Sequence, residues 1–401
     1  MLCGNQSRLI CSVLDMCAEC IRAHPEDALR VSQAAHGEAR QAFNLPSSPP
    51  RAAEGARCVL CARECVIGEG ERGYCGLRTA RDGRLVHLAG TPQRGILDWY
   101  RDPLPTNCVA DWVCNGSAQR GRHNLAVFYA SCTFDCLFCQ NWHFRAMSPA
   151  RSNGLSASQL TDAANPQTYC VCFFGGDPAS QMPHALAAGQ YLAKKGVVVC
   201  WETAGTSNPK LLDRAVQLSL ETGGCIKFDL KAMDETLHIV LTGASNKRTL
   251  ENFARAARRI GERPTPPLVI ASTLLVPGYV DAGEVGRIAR FIAGINPKIP
   301  YALLGFAPHF CMTDLPRPLI VTQTRRSKRH ASQASRMCAS VIGTCFRVTT
   351  EIVSCGRPLK SEEKANEEDH SIGQRDAAGF RGLCHAVRDR KRFDQDTSQV
   401  R

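Results

Sequence analysis

Between residues 120 and 317, short apolar runs alternate with longer helical patterns, and this alternation constrains the fold more than any other feature. Runs of strand length fall at 125–130, 169–174, 197–201, 225–230, 268–276 and 301–306. Helical stretches at 157–164, 180–195, 210–221, 249–260 and 282–292 separate them. Strands joined through crossover helices must lie parallel. Six repeats fall short of a closed eight-stranded barrel. A partial barrel or an open doubly wound sheet remains. In both, ligands bind at the carboxyl ends of the strands, so those ends are where chemistry is to be sought.

The rest of the chain divides around this core. Residues 1–57 read as a helical lead-in, with Pro25, Glu26 and Asp27 as a helix-start signal and a pattern running to about Phe43. A Pro- and Ser-rich linker follows at 45–50. Residues 58–119 form a Cys- and Gly-rich metal-binding module with a short alternating segment at 85–88 suited to a hairpin. Residues 120–317 are the core. Residues 318–401 are a divergent C-terminal segment, with one candidate strand at 349–354 and a disordered end from 360, rich in charge, Gln and Ser.

The chain has 22 cysteines among 401 residues. The first twenty residues include Asp15 and Glu19, so they do not read as a signal peptide. No apolar run reaches the length of a membrane span. A cytoplasmic protein with no membrane association is expected, and its thiols are expected to serve metals rather than disulfides. Cys200 and Cys225, inside apolar runs, read as core residues. The net charge is +12. Nine Lys/Arg against Glu351 alone between Arg317 and Lys360 put the basic excess near the C-terminus. No aromatic residues interleave the run Arg325, Arg326, Lys328, Arg329, so a solvated tail is a better reading than nucleic-acid binding.

The first core strand is followed at once by Cys132, Cys136 and Cys139, in a C-x3-C-x2-C spacing. Three thiolates on one short loop hold three corners of a cubane cluster and leave one iron open to a ligand. A fourth would saturate it and make an electron carrier. Zinc is the competing reading, but zinc favours C-x2-C pairs and four ligands, and no fourth Cys lies close after Cys139. Upstream, Cys58, Cys61, Cys65 and Cys75 fall within one short Gly-rich stretch that can enclose a metal. Cys17 with Cys20 and Cys108 with Cys114 supply four more thiols. How these group, and whether they hold iron–sulfur or zinc, spacing leaves open.

The Cys loop running on into Gln140-Asn141-Trp142 resembles the radical S-adenosylmethionine (SAM) superfamily, in its pyruvate formate-lyase-activating-enzyme-like branch with a Cys-rich N-terminal segment. The resemblance runs from about Cys17 to Arg317 and implies a partial (β/α)6 TIM-like barrel. It implies a [4Fe–4S] cluster on Cys132, Cys136 and Cys139, whose open iron chelates SAM. Reductive cleavage of SAM would then yield a 5′-deoxyadenosyl radical for hydrogen abstraction. Phe138 would pack by the adenine. Gly175-Gly176-Asp177-Pro178 matches the Gly-Gly-Glu-type turn, with glycines approaching SAM and acidic and backbone groups holding its ammonium. Glu202 and Thr203 match the segment that lines the SAM ribose and carboxylate, where Ala204 replaces the usual Asn. Asp229-Leu230-Lys231 matches the Asp-x-Lys signature of glycyl-radical-enzyme activases. Val276-Pro277-Gly278 matches the turn that closes over adenine, and His309 stands toward the substrate end. The partners implied are SAM, a reductant such as ferredoxin or flavodoxin, and a glycyl-radical enzyme or other protein substrate. The alternative is a non-catalytic iron–sulfur or zinc protein that transfers electrons or scaffolds a partner.

Overall fold

The computed structural model describes residues 4, 7–105, 108–317 and, as backbone, 346–349. Two helices open it, α1 (Ala18–Ala23) and α2 (Pro25–Gln41). α2 begins at Pro25, which lacks the N–H that a first helical turn leaves unpaired anyway. Glu26 and Asp27 lie at the positive end of its dipole. Two small antiparallel pairs follow: β1 (Ala56–Arg57) with β2 (Val66–Ile67), and β3 (Arg78–Arg81) with β4 (Arg84–His87). The second is a hairpin turning on Asp82-Gly83, both at positive φ, as a tight two-residue turn requires.

The main sheet has eight strands. In chain order, with their connecting helices, the elements are β5 (Leu97–Pro103), β6 (His123–Tyr129), α3 (Ala157–Thr161), β7 (Thr168–Phe174), α4 (Met182–Lys194) and β8 (Val198–Thr203). Then come α5 (Pro209–Thr222), β9 (Ile226–Asp229), α6 (Glu235–Thr242), α7 (Lys247–Ala257), β10 (Val269–Leu275), α8 (Ala282–Ile295), β11 (Tyr301–Gly305) and β12 (Phe346–Thr349). Spatial order follows chain order from β5 to β12 without a reversal. Every pairing from β6 onward is parallel, while β5 runs antiparallel to β6. A doubly wound sheet reverses direction at a switch point. A sheet wound one way with right-handed crossovers carries its helices on one face and curls around the other. The chain is therefore an α/β protein with a partial (β/α)6 TIM-like barrel, formed by β6 to β11 and extended at its edges by β5 and β12.

Alternation along the strands sorts residues onto two faces. Outward, Phe228 meets Phe253 of α7 edge-on at 5.4 Å between centroids, and Phe173 stacks on Trp201 at 4.8 Å. These side chains are fully buried between sheet and helices. Asn208, Asp234 and Asp281 cap α5, α6 and α8 by accepting from amides of the first turn, so the helices start shortly after the strand ends.

The structure adds elements the pattern did not mark. β5 lies in the stretch read as the Cys-rich module, yet it pairs with β6 along its full length, from Leu97↔Tyr129 to Pro103↔His123. Exposed along most of its length, it lacks the apolar run of a buried strand. α6 is too short to show helical periodicity. Of the candidate strand 349–354, Thr349 is the last residue of β12, and 350–354 lie outside the described residues, as do the basic run at 325–329 and the tail from 360. Among the described residues, no helix is long and apolar enough to cross a membrane.

Replacing Phe253 by Ala empties the contact between α7 and the outer face of β9. The expected cost is about 3–5 kcal/mol, seen as a lower urea midpoint at unchanged slope. An unchanged midpoint would show that α7 does not depend on this packing.

Candidate metal centre

β6 ends at Tyr129, and the chain enters the loop of Cys132, Cys136 and Cys139 almost at once. All three thiols are free; Cys136 is buried and the other two are half-buried. The loop is pinned from below, because Asp135 N donates to Thr242 O at 2.8 Å and Leu137 N to Leu241 O at 3.0 Å, both at the end of α6. The amide of Phe134 points at Cys132 Sγ, 3.3 Å away. Two cations flank the trio: the buried Arg145 guanidinium acts on Cys139 and Cys132, and the ammonium of half-buried Lys231 on Cys136 and Cys139. Burial pushes the Cys136 thiol up to about 12 and raises Cys132 well above the usual thiol range. Such thiols lose their protons on binding a metal, and an amide and two cations already face the charge that would appear. Three soft donors so surrounded fit an iron–sulfur cluster. Cys311 joins the loop through its backbone, donating from N to Leu137 O at 2.9 Å.

A buried carboxylate holds the loop in shape. Asp135, between the first two cysteines, accepts from Arg145 Nη2 at 2.9 Å and pairs with His36 Nδ1 at 3.0 Å and Arg40 Nη1 at 3.7 Å. Burial by itself would raise its pKa. The His36 hydrogen bond and the Arg145, His36 and Arg40 charges outweigh that and hold the carboxyl below the usual range. His36 and Arg40 come from α2, about a hundred residues upstream, so sequence reading missed this network. Its one local signal is an acidic residue inside the Cys-x3-Cys spacing.

The strand-end residues expected to meet SAM gather at the same end of the barrel. Gly176 has φ +54, and a Cβ there would lie 2.1 Å from Tyr129 O and 2.5 Å from Ser131 O. A Cβ on Gly175 would lie 1.8 Å from the Phe128 ring. Both glycines are thus required by contact with β6 and the Cys loop. Asp177 is fully buried, accepting from Thr133 Oγ1 at 2.7 Å, Thr203 Oγ1 at 2.8 Å and Ala179 N at 3.2 Å. Its carboxylate ties the Cys loop to the end of β8, and it caps the turn that begins at Pro178. Glu202 Oε1 accepts from Lys227 Nζ at 2.6 Å. Asp229 accepts from Lys231 Nζ and Ser272 Oγ, each at 2.8 Å. Lys231 Nζ is 5.9 Å from the centre of the Phe138 ring, which joins the Asp-x-Lys pair to the Cys loop. Val276 is buried, and the turn through half-buried Pro277 brings Gly278 against the backbone of Leu9. His309 is half-buried, next to Phe310, whose ring packs on Trp142 and lies under Arg145.

The four upstream cysteines surround one cavity. Cys58, Cys61, Cys65 and Cys75 line it together with Arg63, Tyr74, Arg78 and Thr133. Burial raises Cys58 and Cys65 and pushes Cys61 up to about 12. Arg78 Nη1 donates to Cys75 Sγ at 3.5 Å, while its Nη2 and the Nη2 of Arg63 are buried without a partner. This module is stitched to the Cys132–Cys139 loop and to the turn after β8: Arg63 Nε donates to Thr133 O at 2.7 Å, Ser131 Oγ to Cys75 O at 3.0 Å, and Ala62 N to Thr206 O at 2.8 Å. Cys17 instead caps α1, accepting from the Cys20 amide. Among the described residues, no three His, Cys, Asp or Glu side chains are spaced to hold a single metal ion. A cubane holds its thiolates further apart than one ion does.

Residues 126–292 match the family model of the Radical SAM superfamily. The chain carries a radical SAM domain. That family implies a [4Fe–4S] cluster and SAM. The chain is 30% identical over 139 residues to an isethionate sulfite-lyase activating enzyme of Oleidesulfovibrio alaskensis, covering 34% of this chain and 42% of that protein. It is 26% identical over 190 residues to the pyruvate formate-lyase 1-activating enzyme of Escherichia coli K12, covering 45% of this chain and 74% of that protein. It spans less than half the length of the first and about three quarters of the second. Among solved structures, a domain of a pyruvate-formate lyase-activating enzyme from Bacteroides vulgatus aligns over 45% of this chain and 99% of that one, with 18% identity and a TM-score of 0.35.

Asp135→Asn leaves the Arg145 and Arg40 charges buried against a neutral amide, and the expected loss is about 3–5 kcal/mol at neutral pH. A carboxyl with a lowered folded pKa contributes fully above the ordinary carboxylate pKa and loses that contribution as pH falls through the folded value. The wild type should therefore lose stability in acid more steeply than the variant. Thermal unfolding from neutral pH into acid, run on both proteins, checks this, and parallel curves would remove Asp135 from the account.

Proposed function

We propose that the chain is a radical SAM oxidoreductase of the glycyl-radical-enzyme activase type. One observation carries the reading: three free thiols on one loop, flanked by buried Arg145 and half-buried Lys231, stand where the ends of β7, β8 and β9 converge. When bound, the cluster supplies the electron that cleaves the SAM sulfonium and releases a 5′-deoxyadenosyl radical. The chain's own residues hold and shield that chemistry. Cys132, Cys136 and Cys139 hold three corners. Arg145 and Lys231 balance the charge of the thiolates. Asp229 and Lys231 offer a carboxylate and an ammonium, a pair matched to the amino-acid end of SAM, and Phe138 offers an apolar face. Glu202 and Thr203 line the neighbouring strand end, and Val276 and Pro277 close the far wall. Gly175, Gly176 and Asp177, with Pro178, position the Cys loop against that wall.

The module of Cys58, Cys61, Cys65 and Cys75 is assigned a second metal. Support comes from the unpartnered nitrogens of Arg63 and Arg78, because a centre ligated by four thiolates is anionic and these are the buried cations facing it. An iron–sulfur cluster there would relay electrons to the radical site from a reductant such as ferredoxin or flavodoxin. Zinc would staple the fold. The substrate proposed with this reading is a glycine Cα–H on a glycyl-radical enzyme, a reading supported by relatives named as activating enzymes.

The test is anaerobic reconstitution with iron and sulfide, then dithionite and SAM. 5′-Deoxyadenosine should form with wild type and vanish with Cys136→Ala, while the metal of the Cys58–Cys75 module stays. Cys311→Ser should retain cleavage, because three thiolates suffice. An intact cluster that yields no 5′-deoxyadenosine would favour the non-catalytic electron-transfer or scaffold reading instead.

A further inference from the structure

The turn at the end of β10 is held in place by the start of the chain. Val276 O accepts from Tyr279 N at 3.1 Å and from Val280 N at 2.9 Å, so residues 276–280 close one tight turn. That turn carries Val276 and Pro277, the pair assigned to the far wall of the cofactor site. The next residue, Gly278, has φ +78, and a Cβ there would lie 2.1 Å from Leu9 O and 2.8 Å from Leu9 Cβ. A side chain is excluded because the backbone of residue 9 crosses the turn at that point.

Tyr279 fastens the crossing. Its side chain is fully buried. Its hydroxyl accepts from Cys11 N at 3.1 Å, donates to Met16 O at 3.0 Å and lies 3.2 Å from Cys11 Sγ. A buried hydroxyl needs partners, and these come from residues 11 and 16, more than 260 positions away in the chain. Ser12 N donates to Asp314 Oδ2 at 2.8 Å, which ties the same segment to the loop after β11. Residues 9–16 therefore bridge the ends of two adjacent strands. They lie outside the stretch 126–292 that matches the family model. Lifting the segment would leave the Tyr279 hydroxyl buried without these partners. Relief comes when the ring swings out to water, and the ring moves with the turn that sets Pro277.

We infer that residues 9–16 are a positioning element of the cofactor site, and that they act through Tyr279 as its positioning residue. With the segment fastened, the turn stands where it closes over the nucleoside end of SAM. The inference rests on the assignment of Val276 and Pro277 to SAM, and Tyr279 itself touches the strap rather than the ligand. The fastened form is the one that binds, so lifting the segment weakens SAM in proportion to the fastened fraction that is lost. Linkage requires the converse, that bound SAM holds the segment down.

The experiment uses the full chain, reconstituted anaerobically with ferrous iron and sulfide and kept without reductant, so that SAM binds and is not cleaved. Equilibrium dialysis of labelled SAM gives Kd. Tyr279→Phe keeps the ring and removes the hydroxyl, and its Kd should rise about tenfold, with iron content equal to that of the wild type. In turnover with dithionite the loss should appear in KM for SAM and not in kcat. A second measurement needs no variant. Cys11 is fully buried, so iodoacetamide reaches it only when the segment lifts. Saturating SAM should slow its alkylation about tenfold, read by mass spectrometry. Equal Kd in the two proteins would overturn the inference, and so would Cys11 alkylation at one rate with and without SAM. Wild type with an intact cluster that binds no SAM would overturn the cofactor assignment, and this inference with it.

Discussion

The shape of the Cys132–Cys139 loop depends on one buried carboxylate. Asp135 sits inside the Cys loop and is met by His36 and Arg40 from α2 and by Arg145 from the segment after the loop. A buried charge is tolerated only when paired and hydrogen-bonded, so each partner must arrive for the loop to close. The network reaches outward. Arg40 donates to the carbonyls of Pro46 and Tyr74 and lies over the Tyr74 ring at 3.4 Å, and Arg63 lies over the same ring at 4.0 Å. Arg63 in turn bonds Thr133 O and Gly243 O, each at 2.7 Å. One carboxylate thus fixes the lead-in helix, the Cys-rich module and the end of α6 against the loop.

A second constraint is the direction of winding. Because the strands follow the chain without a reversal, their helices share the outer face, and each strand's alternate residues are forced inward. Outward positions can be apolar for packing alone, as Phe173, Trp201 and Phe228 are. Inward positions face one another across a narrow lumen, and there the sequence departs from apolar filling. Glu202 and Lys227 are stable inside because they pair, and the Lys227 ammonium also meets Cys108 and Cys172. The same alternation aims Asp229 at the upper mouth, level with the Cys loop.

What was legible in the sequence follows from range. The six core strands are periodic within themselves, so their positions show in local pattern. The Cys132, Cys136, Cys139 trio is a local spacing, and so is the Cys58–Cys75 group, and the structure gathers the thiols of that second group around one cavity. The Asp135 network is invisible for the opposite reason: His36 and Arg40 look like ordinary residues of an amphipathic helix until the fold brings them across. Cys200 and Cys225 read as core residues because each sits in an apolar run, and both are buried, while register sets Cys200 beside Cys172. β5 shows no apolar run because most of its residues are exposed.

The turn after β8 shows how the fold supports a departure from the family pattern. Ala204 stands where a polar Asn is usual, yet the backbone around it is held from outside. Thr249 Oγ1 donates to Ala204 O at 2.6 Å, and Asn252 Nδ2 donates to Gly205 O and Ser207 O, each at 2.8 Å. From the other side, Ala62 N reaches Thr206 O and Asn208 N reaches Leu60 O. A turn fixed by α7 and by the Cys-rich module keeps Thr203 and Glu202 in place without a side chain at 204. Losing one contact to the ligand then costs only that contact and leaves the geometry of the wall unchanged. The Cys-rich module thereby becomes part of the frame that holds the turn after β8.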